Sequence, residues 1–393
     1  MTSSGPVAVR TMHARTCEIS QPADVLDLLG EGGFVWWHDD DLIVTSGVAA
    51  RVPVAEVTAA LHAITGATDD LIACGALPFV DASAGTLTIP ARTLRVDARG
   101  ARLTTIDGAH TAAEPRVGRV PRHFGVDAVQ DLNDWDSAVA SALAMIDDGI
   151  LHKVVLAREV VVEADAPFSI ATAAATLRRT QPGCFVFADG NFIGASPELL
   201  VRRRGADVTS RPMAGTVPRQ QSVVDDDAAI AALATSVKDN EEHHYVVDAV
   251  VEVLARHCGS LDVSAPEPVR LTTVTHLTTT ITGTLDGTDT PSALELAVAL
   301  HPTPAVGGTP GAAAVAAIAA LEPFDRGRYG GAVGWVDARG DGEFAVALRC
   351  AELDGTRARL LAGAGIVAGS DPDLEWAETQ AKLEPMLRTL VRP

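Results

Sequence analysis

The sequence predicts an α+β fold: one large domain of packed, mostly antiparallel sheets flanked by helices. Strand signals occur in adjacent pairs, and the apolar runs 185–187 and 192–193 flank Asp189-Gly190, a dipeptide typical of a hairpin turn. Long helical patterns separate groups of strands and do not alternate with single strands, so a doubly wound parallel sheet is not expected.

The individual elements follow from the spacing of apolar residues. Residues 1–28 are weakly patterned and are treated as a separate N-terminal segment. Segment 113–125 contains Pro115, Pro121 and few large apolar residues, which predicts a surface crossing. Helical and strand periods predict the other elements in this order: strands within 34–54, a helix near 54–65, strands within 77–106, a helix over about 135–146, a strand over 150–163, the hairpin, two helices within 226–257 divided near 236–239, strands within 270–284, 331–337, 343–352 and 358–367, and a helix over about 374–388.

Composition limits the classes of function. The net charge of −20 comes from 51 acidic and 31 basic residues, and such a surface repels nucleic acid and anionic membranes. The five cysteines are scattered without a CxxC pair, which argues against a disulfide framework or a zinc site and favours a reducing cytoplasm. No apolar signal segment is visible at the start, and the longest apolar run, 312–321, is too short for a membrane helix. We therefore expect a cytoplasmic enzyme without a nucleic-acid or membrane partner, in which cations or a metal must offset any anionic substrate.

The final helix carries a polar face. Glu375, Glu378 and Lys382 are spaced i, i+3 and i+7, so they share one side of that helix. The glycine-rich segment 362–365 precedes it and is interpreted as a turn whose N–H groups bind an anion. Together these groups suit a metal-bridged carboxylate substrate. The alternative is a surface ion pair between Glu378 and Lys382, which spacing alone favours.

Several charged residues interrupt apolar strands. Lys153 is either at an exposed edge or buried as a base, and Arg158 faces the opposite side because side chains alternate along a strand. Arg349 between Leu348 and Cys350 needs a partner such as a carboxylate. Taken alone, Glu198 is compatible with an ordinary polar residue near a turn. His276 is compatible with a hydrogen-bonded histidine of the core.

The segment 239–244 is rich in acids and histidines. Asp239 and Glu242 have the spacing of a helix-capping box. The adjacent His243 and His244 point in different directions on a helix, which argues against zinc. Magnesium prefers oxygen ligands and keeps several waters, so one or two glutamates from separate helices would hold it.

Eight motifs in this order resemble the chorismate-utilising enzyme family, over roughly residues 120–390. The resemblance implies the fold of the anthranilate synthase large subunit (component I), with 121–390 as the chorismate-binding catalytic region and 29–120 as a framework part of the same domain. The motifs are Lys153-Val-Val-Leu-Ala-Arg158, Gly194-Ala-Ser-Pro-Glu198, Pro212-Met-Ala-Gly-Thr216, Glu242-His243, Leu300-His-Pro-Thr-Pro304, Glu322-Pro-Phe-Asp-Arg326, Ala362-Gly-Ala-Gly-Ile-Val367 and Glu378-Thr-x-x-Lys382.

The resemblance also implies roles for the matching positions. It implies Mg2+ as cofactor and a small-molecule substrate, chorismate. The implied roles are a base (Lys153), an acid (Glu198), metal ligands (Glu242, Glu378), carboxylates behind these ligands (Asp239, Glu375), contacts to the enolpyruvyl carboxylate (Arg349, Tyr329, Lys382, Gly365) and further lining of the pocket (His276, Thr216).

Lys153 discriminates within the family. Members that use ammonia carry glutamine there, so lysine implies water as the nucleophile and an isochorismate synthase, an isomerase that supplies menaquinone or catechol siderophore synthesis. The segments 300–308 and 324–331 look most like that type. Thr216 is also found in salicylate and anthranilate enzymes, so a salicylate synthase, which goes on to eliminate pyruvate, stays an alternative. A non-catalytic chorismate-binding homologue is a third. The resemblance further implies a monomer without a glutaminase subunit.

Overall fold

The fold is known from a computed structural model that describes residues 12–22, 25–30, 32–66, 70–109, 120–287 and 290–392. In these residues, nineteen strands connect through hydrogen-bonded pairs into one large sheet, and three more form a second sheet. The strand pairs of the described residues run antiparallel, as in the pairing of Phe192 with Asp189 across the predicted hairpin. The predicted α+β class with antiparallel sheets is therefore confirmed.

The strands of the large sheet differ widely in length. They are β1 (Ala14–Ile19), β2 (Phe34–His38), β3 (Asp41–Pro53), β4 (Ile72–Ala76), β5 (Thr86–Asp97), β6 (Gly100–Ile106), β7 (Phe124–Ala128), β8 (Lys153–Ala164), β9 (Phe185–Asp189), β10 (Phe192–Ser196), β11 (Leu199–Arg204), β12 (Asp207–Arg211), β14 (Cys258–Val263), β17 (Ile281–Leu285), β18 (Gly308–Thr309), β19 (Ala332–Asp337), β20 (Gly342–Val346), β21 (Cys350–Asp354) and β22 (Arg357–Ile366). The small sheet consists of β13 (Met213–Pro218), β15 (Glu267–Arg270) and β16 (Val274–Thr278).

Eight α-helices cover these sheets within the described residues. They are α1 (Val57–Ala63), α2 (Leu132–Asp147), α3 (Ile170–Thr180), α4 (Val223–Thr235), α5 (Val237–Leu254), α6 (Ala293–Leu300), α7 (Gly311–Leu321) and α8 (Pro372–Val391). Short 3-10 turns occupy Val25–Leu28, Val54–Glu56 and Ala82–Ala84. Among the helices of the described chain, none combines the length and the apolar character that a membrane crossing requires.

Strand β8 is central to the fold. Its first ten residues are buried, which explains why the sequence there is an almost unbroken run of valine, leucine and alanine. It pairs with β22 over ten successive positions, from Val154 opposite Ile366 to Glu163 opposite Arg357. Helix α8 packs on β22 and helix α5 packs on β13, so both helices are fixed next to this strand pair.

Three predicted local features are wrong, each for a local reason. The division of the two helices near 236–239 is confirmed, since α5 begins at Val237, but Ser236 caps it and accepts from the Asp239 amide, so Asp239 and Glu242 do not form the capping box. The strand predicted over 343–352 is two strands, since the chain turns at Arg349, whose φ is +50°. The glycine-rich segment 362–365 is not a turn but continues strand β22.

Two strands lie in segments whose sequence pattern does not predict them. Strand β1 lies in the weakly patterned N-terminal segment and pairs with β6, but only Ala14 of its residues is buried, so it lacks an apolar alternation. Of the predicted surface crossing, residues 113–119 lie outside the described residues, and strand β7 begins at Phe124.

Candidate active site

A cleft with about 510 Å³ of space between its atoms opens where β8, β13, β16, β22, α5 and α8 come together. Strand β8 supplies Val155 to its wall, and the loop after α6 supplies Val306. Eight of the residues implied by the family resemblance line it: Glu198, Thr216, Glu242, His276, Tyr329, Arg349, Gly365 and Lys382. Lys153 lies within 2.9 Å of Glu242 and Glu378 within 2.5 Å of Lys382, whereas Asp239 and Glu375 do not line the cleft.

Lys153 is fully buried, so the exposed-edge interpretation is wrong. Its Nζ lies 2.9 Å from Glu242 Oε1 on helix α5 and makes no hydrogen bond to any other described group. Arg158, on the opposite face of β8 as predicted, instead contacts Thr379 and the ring of Trp376 on helix α8. The strand therefore presents its lysine toward the carboxylate of α5.

Gly365 is what allows Lys153 and Glu242 to meet. A Cβ at this position of β22 would lie 2.3 Å from Glu242 Oε1 and 3.1 Å from Lys153 Cε. The backbone of β22 itself, and not a turn, thus forms this wall of the cleft. The glycines of segment 362–365 leave space for side chains that arrive from neighbouring elements.

Two glutamates contribute acidic oxygens from different helices. Burial alone would raise the pKa of Glu242, but the charges of Lys153, Lys382 and Lys238 outweigh it and hold that pKa below its usual value. Burial raises the pKa of Glu378, and the charges of Glu375 and Glu242 add to the rise. Lys382 opposes the rise, since its Nζ lies 2.5 Å from Glu378 Oε1 while it also donates to the Gly363 carbonyl at 2.9 Å.

This donor set fits Mg2+. Within the described residues, no group of three or more histidines, cysteines and acids is arranged to hold a metal ion. Magnesium, however, is bound in proteins by as few as one or two carboxylates and retains several waters. The charge of Glu242 raises the pKa of Glu378, and a divalent cation between two such carboxylates would relieve this repulsion.

The two carboxylates predicted behind these ligands have different surroundings. Glu375 is buried, and its Oε1 accepts from Lys238 Nζ at 2.7 Å and from Ser370 Oγ at 2.8 Å. Asp239 is half-buried one turn before Glu242, and its amide donates to the Ser236 hydroxyl that caps helix α5. Lys238 and Ser370 were missed from the sequence, because neither residue type signals that it will meet a buried glutamate far along the chain.

Glu198 lies between β10 and β11 and is buried. Burial raises its pKa to about 7, although the Met213 amide and the charges of Lys153, Arg349 and Lys382 act in the opposite direction. Near neutral pH a large fraction of this carboxyl group therefore carries a proton and can donate it. A group with this proton affinity inside a cleft suits general acid catalysis.

Arg349 pairs with a histidine, not with the carboxylate that the sequence predicted. Its Nη2 lies 3.1 Å from His276 Nε2, and a guanidinium only donates, so Nε2 must accept. His276 Nδ1 then carries the proton and donates to Thr216 Oγ1 at 3.0 Å. Burial, with the charges of Arg349 and Lys382, lowers the pKa of His276 well below its usual value, so the ring is neutral. Because this partner is neutral, it does not offset the positive charge of Arg349, which can bind an anion in the cleft.

Tyr329 forms a further part of the cleft wall, next to β22. Burial raises its pKa to about 12, so its hydroxyl keeps its proton and is available as a donor. A Cβ at Gly363 would lie 3.1 Å from Tyr329 Oη, which is a further close approach to β22. Tyr329, Arg349 and Lys382 together line the cleft with hydrogen-bond donors of the kind that carboxylates bind.

Comparison with known proteins agrees with this geometry. The family described as "Chorismate binding enzyme" matches residues 97–391. The isochorismate synthase DhbC of Bacillus subtilis (strain 168) is 39% identical over 328 residues, which cover 80% of each chain. The structure of MenF, the menaquinone-specific isochorismate synthase from Escherichia coli, superposes with a TM-score of 0.85 and 30% identity, over 96% of this chain and 95% of that one.

A more distant structure extends the likeness of the fold. Anthranilate synthase component I from Streptococcus pneumoniae TIGR4 superposes with a TM-score of 0.69 and 22% identity, over 99% of this chain and 94% of that one. The fold implied by the sequence motifs is thus confirmed. With the family match over residues 97–391 and the relatives above, the chain belongs to the family of chorismate-binding enzymes.

Proposed function

We propose that this protein is an isochorismate synthase, an isomerase that adds water at C2 of chorismate and removes the C4 hydroxyl group. The observation that carries the proposal is a cleft lined by a buried carboxyl group whose pKa is about 7, with a buried lysine directly behind the Glu242 carboxylate in its wall. Relatives and a solved structure of similar sequence are themselves named isochorismate synthases, which supports the same function.

Lys153 and Glu198 supply the proton transfers in this proposal. Water is a poor nucleophile, so a base must take its proton, and we assign that role to Lys153 as the oxygen attacks C2. Hydroxide is a poor leaving group, so Glu198 in its protonated form gives a proton to the C4 hydroxyl as that bond breaks. As the C2–O bond forms, the C1=C2 double bond becomes C1=C6 and the C5=C6 double bond becomes C4=C5. The protonated C4 hydroxyl leaves as water, so one water molecule is added and one is released.

Cationic and neutral donors bind the substrate. Chorismate carries two carboxylates, and a chain with net charge −20 repels it unless charges in the cleft compensate locally. We propose that Arg349, Lys382 and the Tyr329 hydroxyl receive the enolpyruvyl carboxylate, with the Gly365 backbone next to it. The neutral His276 orients Arg349, and Thr216 borders the same space.

We propose that Glu242 and Glu378 hold Mg2+, with Asp239 and Glu375 as carboxylates behind them. When bound there, the ion supplies positive charge that neutralises the ring carboxylate of chorismate. Lys238 and Ser370 hold Glu375 in place, so its position does not depend on the metal. We further propose a cytoplasmic monomer that needs no glutaminase subunit, because Lys153 specifies water as the nucleophile.

The test is product analysis from chorismate. The purified protein is incubated with chorismate and Mg2+, with an EDTA-treated sample as control, and the products are separated chromatographically while pyruvate is quantified. We expect isochorismate without pyruvate. Pyruvate in equal amount to consumed chorismate would favour salicylate synthase, the alternative that Thr216 keeps open. The absence of turnover with Mg2+ present would favour a non-catalytic chorismate-binding homologue.

A further inference from the structure

Strand β8 has a gap along one of its edges. On one side it pairs with β22 throughout. On the other side β18 reaches only Lys153 and Val154, and β7 begins only at Val160. Residues 155–159 are buried and yet have no strand beside them there. Buried backbone N–H and C=O groups require partners, so this edge must be satisfied in another way.

Side chains and two backbone groups from outside the paired strands take the place of the missing strand. The Val155 amide donates to the Gly307 carbonyl at 2.8 Å, and the Glu159 carbonyl accepts from the Val129 amide at 3.0 Å. The Ala157 amide donates to Glu322 Oε1 at 2.7 Å, and the Val155 carbonyl accepts from Arg326 Nη2 at 2.7 Å. Two residues after Ala157, the Glu159 amide donates to Gln130 Oε1 at 3.0 Å. The edge groups of β8 are thereby hydrogen-bonded without a neighbouring strand.

Glu322 and Arg326 form a tight buried pair at the end of α7. Their side chains are each 2% exposed, and Arg326 donates from Nε to Glu322 Oε2 at 2.8 Å and from Nη2 to Oε1 at 2.5 Å. The same guanidinium donates from Nη1 to the Val306 carbonyl at 2.7 Å. One side chain thus joins the lysine-bearing strand to the loop at residues 303–307. Only the planar fork of an arginine can reach these acceptors together.

We propose that Glu322 and Arg326 are positioning residues that fix Lys153 relative to the opposite wall of the cleft. Val155 and Val306, whose carbonyls Arg326 holds, both line the cleft. Val155 also lies two residues from Lys153 on the same face of β8. The Tyr329 amide donates to the Arg326 carbonyl at 3.0 Å, so a third part of the wall is connected to the pair. The catalytic part of this inference rests on the proposed function.

The test uses Arg326→Lys, which keeps the charge but not the fork. Hydrogen exchange of the intact protein is followed by mass spectrometry, and kcat and KM are measured with chorismate and Mg2+ well below the variant's Tm. Arg256→Lys is the matched control, since Arg256 forms an exposed i, i+4 pair with Glu252. Glu322→Gln is measured in the same way, and it decides the question if Arg326→Lys does not fold.

We expect faster exchange in peptides over 153–159 and 303–309, with unchanged exchange over β14 and β17. We also expect kcat to fall by about a hundredfold, as a displacement of about 1 Å in a reacting group produces, with a much smaller change in KM. A residue with only a structural role would lower Tm and leave the kcat of the folded protein intact.

Two results would overturn the inference: unchanged exchange in both segments, or faster exchange with wild-type kcat. If the wild-type protein does not convert chorismate, the proposed function fails separately. The exchange result then still decides whether the pair holds the strand edge.

Discussion

Replacing Gly365 by alanine places one methyl group against the carboxylate of Glu242. Gly365 does not have a left-handed backbone, so alanine causes no strain in the chain itself. Its Cβ would lie 2.3 Å from Glu242 Oε1, whereas a carbon and an oxygen in contact are about 3.3 Å apart. Glu242 or strand β22 must therefore move by about 1 Å. Lys153 Cε, at 3.1 Å from the new methyl group, restricts the directions in which the methyl group can be accommodated.

A displacement of about 1 Å at reacting groups lowers turnover by about a hundredfold, or about 2.7 kcal/mol in the activation free energy. Isochorismate formation by Gly365→Ala is measured chromatographically, together with the Mg2+ concentration for half-maximal activity, which we expect to rise. Gly125→Ala on strand β7 is the control, because a Cβ there meets nothing within 4 Å. Wild-type turnover and an unaltered Mg2+ titration in Gly365→Ala would refute the placement of Glu242 in the catalytic site.

The remaining predictions concern single groups of the site. Glu198→Gln should lower kcat by about 10²–10⁴-fold. Only the protonated carboxyl group donates, and its pKa is about 7, so wild-type activity should fall as pH rises through that value. If the pH profile of Glu198→Gln showed the same fall at alkaline pH, the assignment of Glu198 as the acid would be contradicted. Lys153→Met should abolish hydration while calorimetry still detects chorismate binding, and retained turnover would exclude Lys153 as the base. Glu378→Gln should raise the Mg2+ requirement, so an identical metal titration would remove it from the ligand set.

Local patterns predicted the parts of the molecule that depend on neighbours along the chain. The spacing of Glu378 and Lys382 placed them on one face of a helix, and they are in contact in the structure. The alternation of strand side chains placed Arg158 opposite Lys153, which is also confirmed. The linked motifs identified the family, which the comparisons confirm. The catalytic, binding and metal roles assigned to individual residues stay predictions.

Contacts between distant parts of the chain could not be predicted from residue types. Arg349 and His276 are 73 positions apart, and an apolar strand gives no sign of which element will face it. The turn at Arg349 resembled a strand because residues on both sides of it are apolar and buried. The glycines of segment 362–365 resembled a turn, although they are needed to admit Glu242 and Tyr329 beside a strand. In each case tertiary packing determined the conformation.

In the mechanism proposed here, Lys153 activates the water molecule that attacks C2 of chorismate. The reaction is run in water labelled with oxygen-18, and the initial isochorismate is analysed by mass spectrometry. We expect one solvent oxygen in each isochorismate molecule and no labelled product with Lys153→Met. Isochorismate formed without solvent oxygen, by transfer of the original hydroxyl group, would contradict this mechanism.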